Sequence, residues 1–180
     1  MIPPSDLFNY QLDIYSGTAC WRGEFQLPSA RRVQDILNDV NRPTITLENS
    51  KLIIWDNGSL QEYGAQGKIT VFKQNATALL VLNATQVSTA GREVDRVKKI
   101  VHRVAVYVPP MVIVGKFHLP EHGDLVKGIE SGYQHFLPLT SAAVQWLDGR
   151  EPIPGSAGLA FVHRQLVASV RELPETEAGA

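Results

Sequence analysis

The chain has 180 residues, 44% of them hydrophobic and 19% charged, with a formal net charge of −1. That mix belongs to a soluble globular protein long enough to bury a core, and it excludes both a disordered chain and a global field that would draw nucleic acid or an anionic membrane. The single cysteine, Cys20, excludes an intramolecular disulfide and a cysteine-built zinc site, and it fits a reducing cytoplasm.

The opening, MIPPSDLFNYQ, has no basic stretch followed by an apolar run, so no secretory signal is expected. Residues 11–27 alternate in part and carry Tyr15, Trp21 and Phe25, with Gly17 as a break, which predicts two paired strands. Leu27-Pro28 ends the second, because proline cannot donate to a ladder. Ser29 reads as an N-cap, and Val33, Ile36, Leu37 and Val40 follow at helical spacing up to Arg42-Pro43. Residues 45–47 and 51–55 read as a hairpin about Glu48-Asn49-Ser50, with a further turn at Asp56-Asn57-Gly58. GKITVF and ALLVLN read as another strand pair around residues 74–77.

GREVDRVKKIVHR, residues 91–103, reads as a charged connector, either a helix or a long twisted strand. Val104 to Val108 and Met111 to Leu119 are predicted strands split by Pro109-Pro110. His122 to Ser131 follows as a helix weakened by Gly128. Strands at Phe136–Leu139 and Ala142–Leu147, a loop at 148–158 and a strand region at 159–173 complete the fold, and the acidic tail from 174 to 180 reads as disordered.

The two series of elements match. At an offset of 92 residues, Gly23, Phe25, Leu27 and Pro28 fall on Gly115, Phe117, Leu119 and Pro120. Val33 falls on Leu125, Leu37 on Ile129 and Ile45 on Leu137, and residues 71–83 resemble 160–170 after a small shift. The matched positions are apolar or turn-forming while the polar ones differ, which points to a shared scaffold without a shared catalytic set. The expected architecture is mainly β with two short helices (α+β). Half-repeats at 1–90 and 104–173 share one small barrel or sandwich about a pseudo-two-fold axis.

Gly-x-Phe-x-Leu-Pro, the short helix with Asp35-Ile36-Leu37-Asn38, and Phe136-Leu137-Pro138-Leu139-Thr140 together resemble an uncharacterised bacterial family of unknown function. The first half carries Thr44-Ile45-Thr46-Leu47-Glu48 where that pattern has Phe-Leu-Pro-Leu-Thr, and the second half lacks the Leu-Asn pair. The resemblance implies a duplicated domain and no particular reaction or cofactor.

Candidate chemistry is thin. His118, His122 and His135 are metal-ligand types, but Leu119-Pro120 separates the first two and the matching QLPSARR has no ligand residues, so no metal is expected. No Gly-x-Ser-x-Gly elbow, Walker loop or dinucleotide fingerprint occurs, and Cys20 beside Trp21 reads as core filler. Arg92, Arg96, Lys98, Lys99 and Arg103 form a basic run of the kind that lets small barrels bind RNA. A non-catalytic cytoplasmic binding or assembly module is therefore the leading expectation, its partner itself or another protein, with no membrane partner. An RNA-binding barrel and a ligand or metal sensor with a pocket between the halves are the alternatives.

Overall fold

The computed structural model describes residues 7–28, 31–56, 59–82, 98–130, 134–154 and 157–174. Strands β1 (Leu7–Ser16), β2 (Ala19–Pro28), β3 (Thr44–Asp56), β4 (Ser59–Phe72) and β5 (Ala78–Val81) make the first half, with helix α1 (Val33–Asn38) between β2 and β3. Strands β6 (Lys99–Val108), β7 (Met111–Pro120), β8 (Phe136–Trp146), β9 (Ala157–His163) and β10 (Ser169–Glu172) make the second, with helix α2 (Leu125–Glu130) between β7 and β8. The protein is mainly β with two short helices, as its sequence predicts. The strands form one antiparallel sheet in the order β10-β6-β7-β8-β9-β5-β1-β2-β3-β4, and it does not close.

Within each half the strand order is the same. The first four strands form a meander, and the fifth returns to pair with the first after a single 3-10 turn, at Lys73–Asn75 or Arg164–Leu166. The register matches too. Ile14 lies opposite Trp21 as Val106 lies opposite Ile113, and Leu47 opposite Ile69 as Leu139 lies opposite Ala160. A pseudo-two-fold axis is not reproduced, for it would require β10 to meet β4 just as β5 meets β9. Among the described residues the only strand pairing between the halves is β5 with β9, which joins them head to tail, and β10 and β4 end the sheet.

The doubled Gly-x-Phe-x-Leu-Pro has a steric cause. A Cβ at Gly23 would stand 2.9 Å from the Glu48 carbonyl oxygen and 3.0 Å from the Leu47 Cβ; at Gly115 the distances are 3.1 Å to the Leu139 Cβ and 3.3 Å to the Thr140 oxygen. At both places the ladder slips by a bulge, between Arg22 and Glu24 and between Val114 and Lys116. The strand opposite bends at a left-handed residue, Asn49 (φ 47°) or Ser141 (φ 49°). Glycine is the residue that lets the bent strand lie this close.

Those bends overturn the expected hairpin at Glu48-Asn49-Ser50 and the expected break between Leu139 and Ala142. The backbone turns there without reversing, so β3 and β8 each run through as one strand. The expected pairing of GKITVF with ALLVLN also fails, because the 3-10 turn carries β5 away from β4 to lie between β1 and β9. Arg32, not Ser29, is the N-cap of α1, its amide donating to Asp35 Oδ2 at 3.2 Å; Ser29 lies outside the described residues. Val40 falls beyond the helix and is 72% exposed. Lys99 to Arg103 belong to β6, so this part of the expected connector is strand, and residues 91–97 lie outside the described residues.

Residues directly opposite one another share a face of a sheet. Ile53, Cys20, Tyr15, Ala78, Val162 and Leu137 lie in one such row and all belong to the second half's core. Trp21, Ile14, Leu79 and Phe161 lie in the adjacent row and pack in or against the first half's core. One face of the sheet is therefore the inside of the first half, and the opposite face is the inside of the second. The sheet curls one way and then the other. β5 sits at the crossing, which explains its unbroken apolar sequence ALLV, fully buried on both faces.

Candidate functional site

Where the halves meet, polar side chains fix the joint. Lys73, nearly buried after β4, donates from Nζ to the carbonyl oxygens of Ile36 and, at 2.9 Å, Asp39, and so closes the C-terminal end of α1. Burial pulls the ammonium below the usual lysine range, and the Asp39 carboxylate opposes that shift. Arg164, at the matching place in the second half, donates to the Glu130 carbonyl oxygen at the end of α2. Asn38 Oδ1 accepts from the Phe136 amide at 3.0 Å, tying α1 to β8 across the seam.

Phe136 meets His163 edge to face at 4.9 Å between ring centres. His163 is 6% exposed, and its Nδ1 is buried with no hydrogen-bond partner among the described residues. Burial lowers its pKa below the ordinary imidazole value, and the nearby His135 lowers it further. These two histidines, with Asp39, Arg42, Lys73 and Phe136, line a concavity of about 330 Å³ between the halves. A second concavity of about 440 Å³ lies beside it on the first half, where Glu48 pairs with Lys68 at 3.0 Å.

The other side of the joint is aromatic. Trp146 stands 4.4 Å from Trp55 and 6.0 Å from Tyr15, and the Arg150 guanidinium lies over both tryptophan rings. Arg22 grips the fully buried Asp13 with two hydrogen bonds of 2.7 and 2.8 Å and donates a third to the Pro154 carbonyl, which pins the loop after β8 to the first half. Burial, with the Asp13 charge adding to it, pushes the Cys20 thiol well above its ordinary range, so it stays protonated and packs as a small apolar group.

The residues singled out from sequence scatter. His118 is exposed at the end of β7, with Nε2 2.7 Å from the Thr140 hydroxyl, and His122 is exposed in the turn that follows. Only His135 reaches the seam, and no group of three potential metal ligands forms among the described residues. In the basic run, Lys98 pairs with Glu121 at 2.6 Å, His102 meets Glu172 at 2.7 Å and Arg103 donates to the Pro174 carbonyl; Lys99 is exposed at the start of β6. Arg92 and Arg96 lie outside the described residues. Sequence reasoning missed Lys73, Arg164 and His163, although matching 71–83 against 160–170 sets Lys73 on Arg164 and Phe72 on His163.

No family model, curated protein or solved structure matches the chain.

Proposed function

We propose that the protein is a non-catalytic binding and assembly module of the bacterial cytoplasm, built from two copies of one ancestral unit and working through the edges of its sheet. One observation carries the reading. Within this chain, the fifth strand of one unit already takes up the fourth strand of another, Ala78 opposite Val162 and Val81 opposite Leu159. The same two kinds of strand, β10 and β4, stand at the sheet's ends with no further strand beside them among the described residues. An exposed edge is a template for pairing with another chain.

The test places a photo-cross-linking residue at Thr70 or Arg171, both exposed on the edge strands, and a control at Lys116, exposed on the central strand β7. Adducts with protein in cells at the edge positions but not at the control are the expected result. Adducts at none of the positions, or equally at all of them, would sink the reading.

A second reading rests on the seam concavity, whose lining combines His135, His163, Arg42, Lys73 and Asp39 with the apolar Leu37 and Phe136, a mix that suits a small anionic or aromatic ligand. It predicts a mass in excess of the chain under gentle ionisation that disappears on denaturation and in His163→Phe. An unaltered mass in both proteins would remove it.

A further inference from the structure

Resting on the edge reading, we propose that the partner of these edges is a second copy of this chain, added head to tail, with β10 of one copy pairing antiparallel to residues 68–71 of the next. The internal joint supplies the register. β10 occupies in the second half the place of β5 in the first, and the end of β4 occupies the place of the end of β9. Carrying the β5–β9 pairing over sets Ser169 opposite Val71, Val170 opposite Thr70, Arg171 opposite Ile69 and Glu172 opposite Lys68.

Two features at these ends fit that register. Glu172 and Lys68 bring opposite charges face to face, and each is exposed, held only by an exposed or partly exposed neighbour, His102 or Glu48. Phe72 is 53% exposed, whereas its counterpart His163 is 6% exposed because β5 and α1 cover that end of β9. His163 donates its amide to the Thr77 oxygen at 3.0 Å; in the pairing between copies, the Phe72 amide meets the Ala168 oxygen.

The contact is weaker than the internal one, for a visible reason. Where β5 presents Ala78 and Leu80 to the neighbouring core, β10 presents Ser169 and Arg171. The added copies are therefore held by backbone pairing and charge, with little apolar burial, so association is reversible and weakened by salt. Because the two surfaces differ, the contact is heterologous and grows into a ring or a filament.

The experiment is sedimentation velocity on the full chain from low to high micromolar concentration, at low and high salt, for the native protein and for Lys68→Glu and Glu172→Lys. The native protein should assemble reversibly, into a discrete ring or a ladder of species. Each variant alone should need at least about tenfold more protein to do so. An equimolar mixture of the two should assemble like the native protein, because every junction then joins opposite charges. Both sites are exposed, so neither change threatens the fold. A native protein that stays monomeric throughout, or a mixture that behaves no better than its components, overturns the inference. Monomers in this experiment alongside edge-specific adducts in cells would overturn head-to-tail assembly and leave the edge reading standing.

Discussion

His163 is polar at a place where the fold wants an apolar group. It is 6% exposed, it packs on Phe136, and its Nδ1 has no partner among the described residues, so the neutral ring is tolerated better than the charged one. Lys73 and Arg42 line the same concavity and add positive charge, against the carboxylate of Asp39, and His135 beside it also disfavours the charged ring. A base whose folded pKa lies below its unfolded value takes up protons more readily when unfolded. Its contribution is complete above the ordinary value of 6.5 and is lost as pH falls from there towards the lower folded value. Unfolding free energies from denaturant titrations between about pH 7 and about pH 5.5 should therefore fall in the native protein, by no more than about 1.4 kcal/mol per pH unit for this one proton. The slope should be shallower in His163→Gln. Equal slopes in both proteins would show that His163 is not the group responsible.

The short helices show how an element of six residues can be held. Neither is long enough to persist alone, and α1 is fixed by burying Val33, Ile36 and Leu37 and by the two bonds from Lys73 to its last carbonyls. Replacing Lys73 with Met keeps the stem and removes both charged bonds, leaving those carbonyls only the Asp39 and Arg42 amides as donors, at a cost of about 1.5–3 kcal/mol. Lys73→Arg should lose less, since an arginine closes α2 in the same way. Arg164→Met should cost less than Lys73→Met, because α2 buries none of its residues fully. Chemical denaturation of the three variants decides it, and equal losses for Lys73→Met and Arg164→Met would refute this account of the helix ends. Elements of this kind were legible in the sequence where the constraint is local. Leu27-Pro28, Leu119-Pro120 and the apolar spacing of α1 each act through near neighbours, whereas Gly23 and Gly115 are legible through the repeat alone, because the backbone they admit belongs to the strand opposite. Asn49 and Ser141 were misread because a left-handed residue among polar letters looks the same whether it bends a strand or reverses it. His163 was missed because its burial comes from α1 and β5, more than 80 positions away in the chain.

At the scale of the molecule, each half lends residues to the other's core, so the two should unfold together. Tyr15, Cys20, Ile53, Ala78 and Leu80 complete the second core, and Phe136 and Phe161 complete the first. On the outer face of the second half three of the five matching places are polar and exposed, Gln145 for Ile53, Ser169 for Ala78 and Arg171 for Leu80, while a half-buried Tyr107 and a buried Val112 stand for Tyr15 and Cys20. Much of the apolar surface that the first half turns outward is thus buried against the second, and the matching surface of the second half is mostly polar. Cutting Leu80 back to Ala opens a cavity in the core of the half to which it does not belong, at a cost of about 2–5 kcal/mol. If the two cores unfold as one, hydrogen exchange should speed up by the same factor at the slowest amides of β2 in the first half and β7 in the second, and thermal unfolding should remain a single transition at a lower temperature. Faster exchange confined to one half, or a transition that splits in two, would show that the halves are separable domains joined only at β5 and β9.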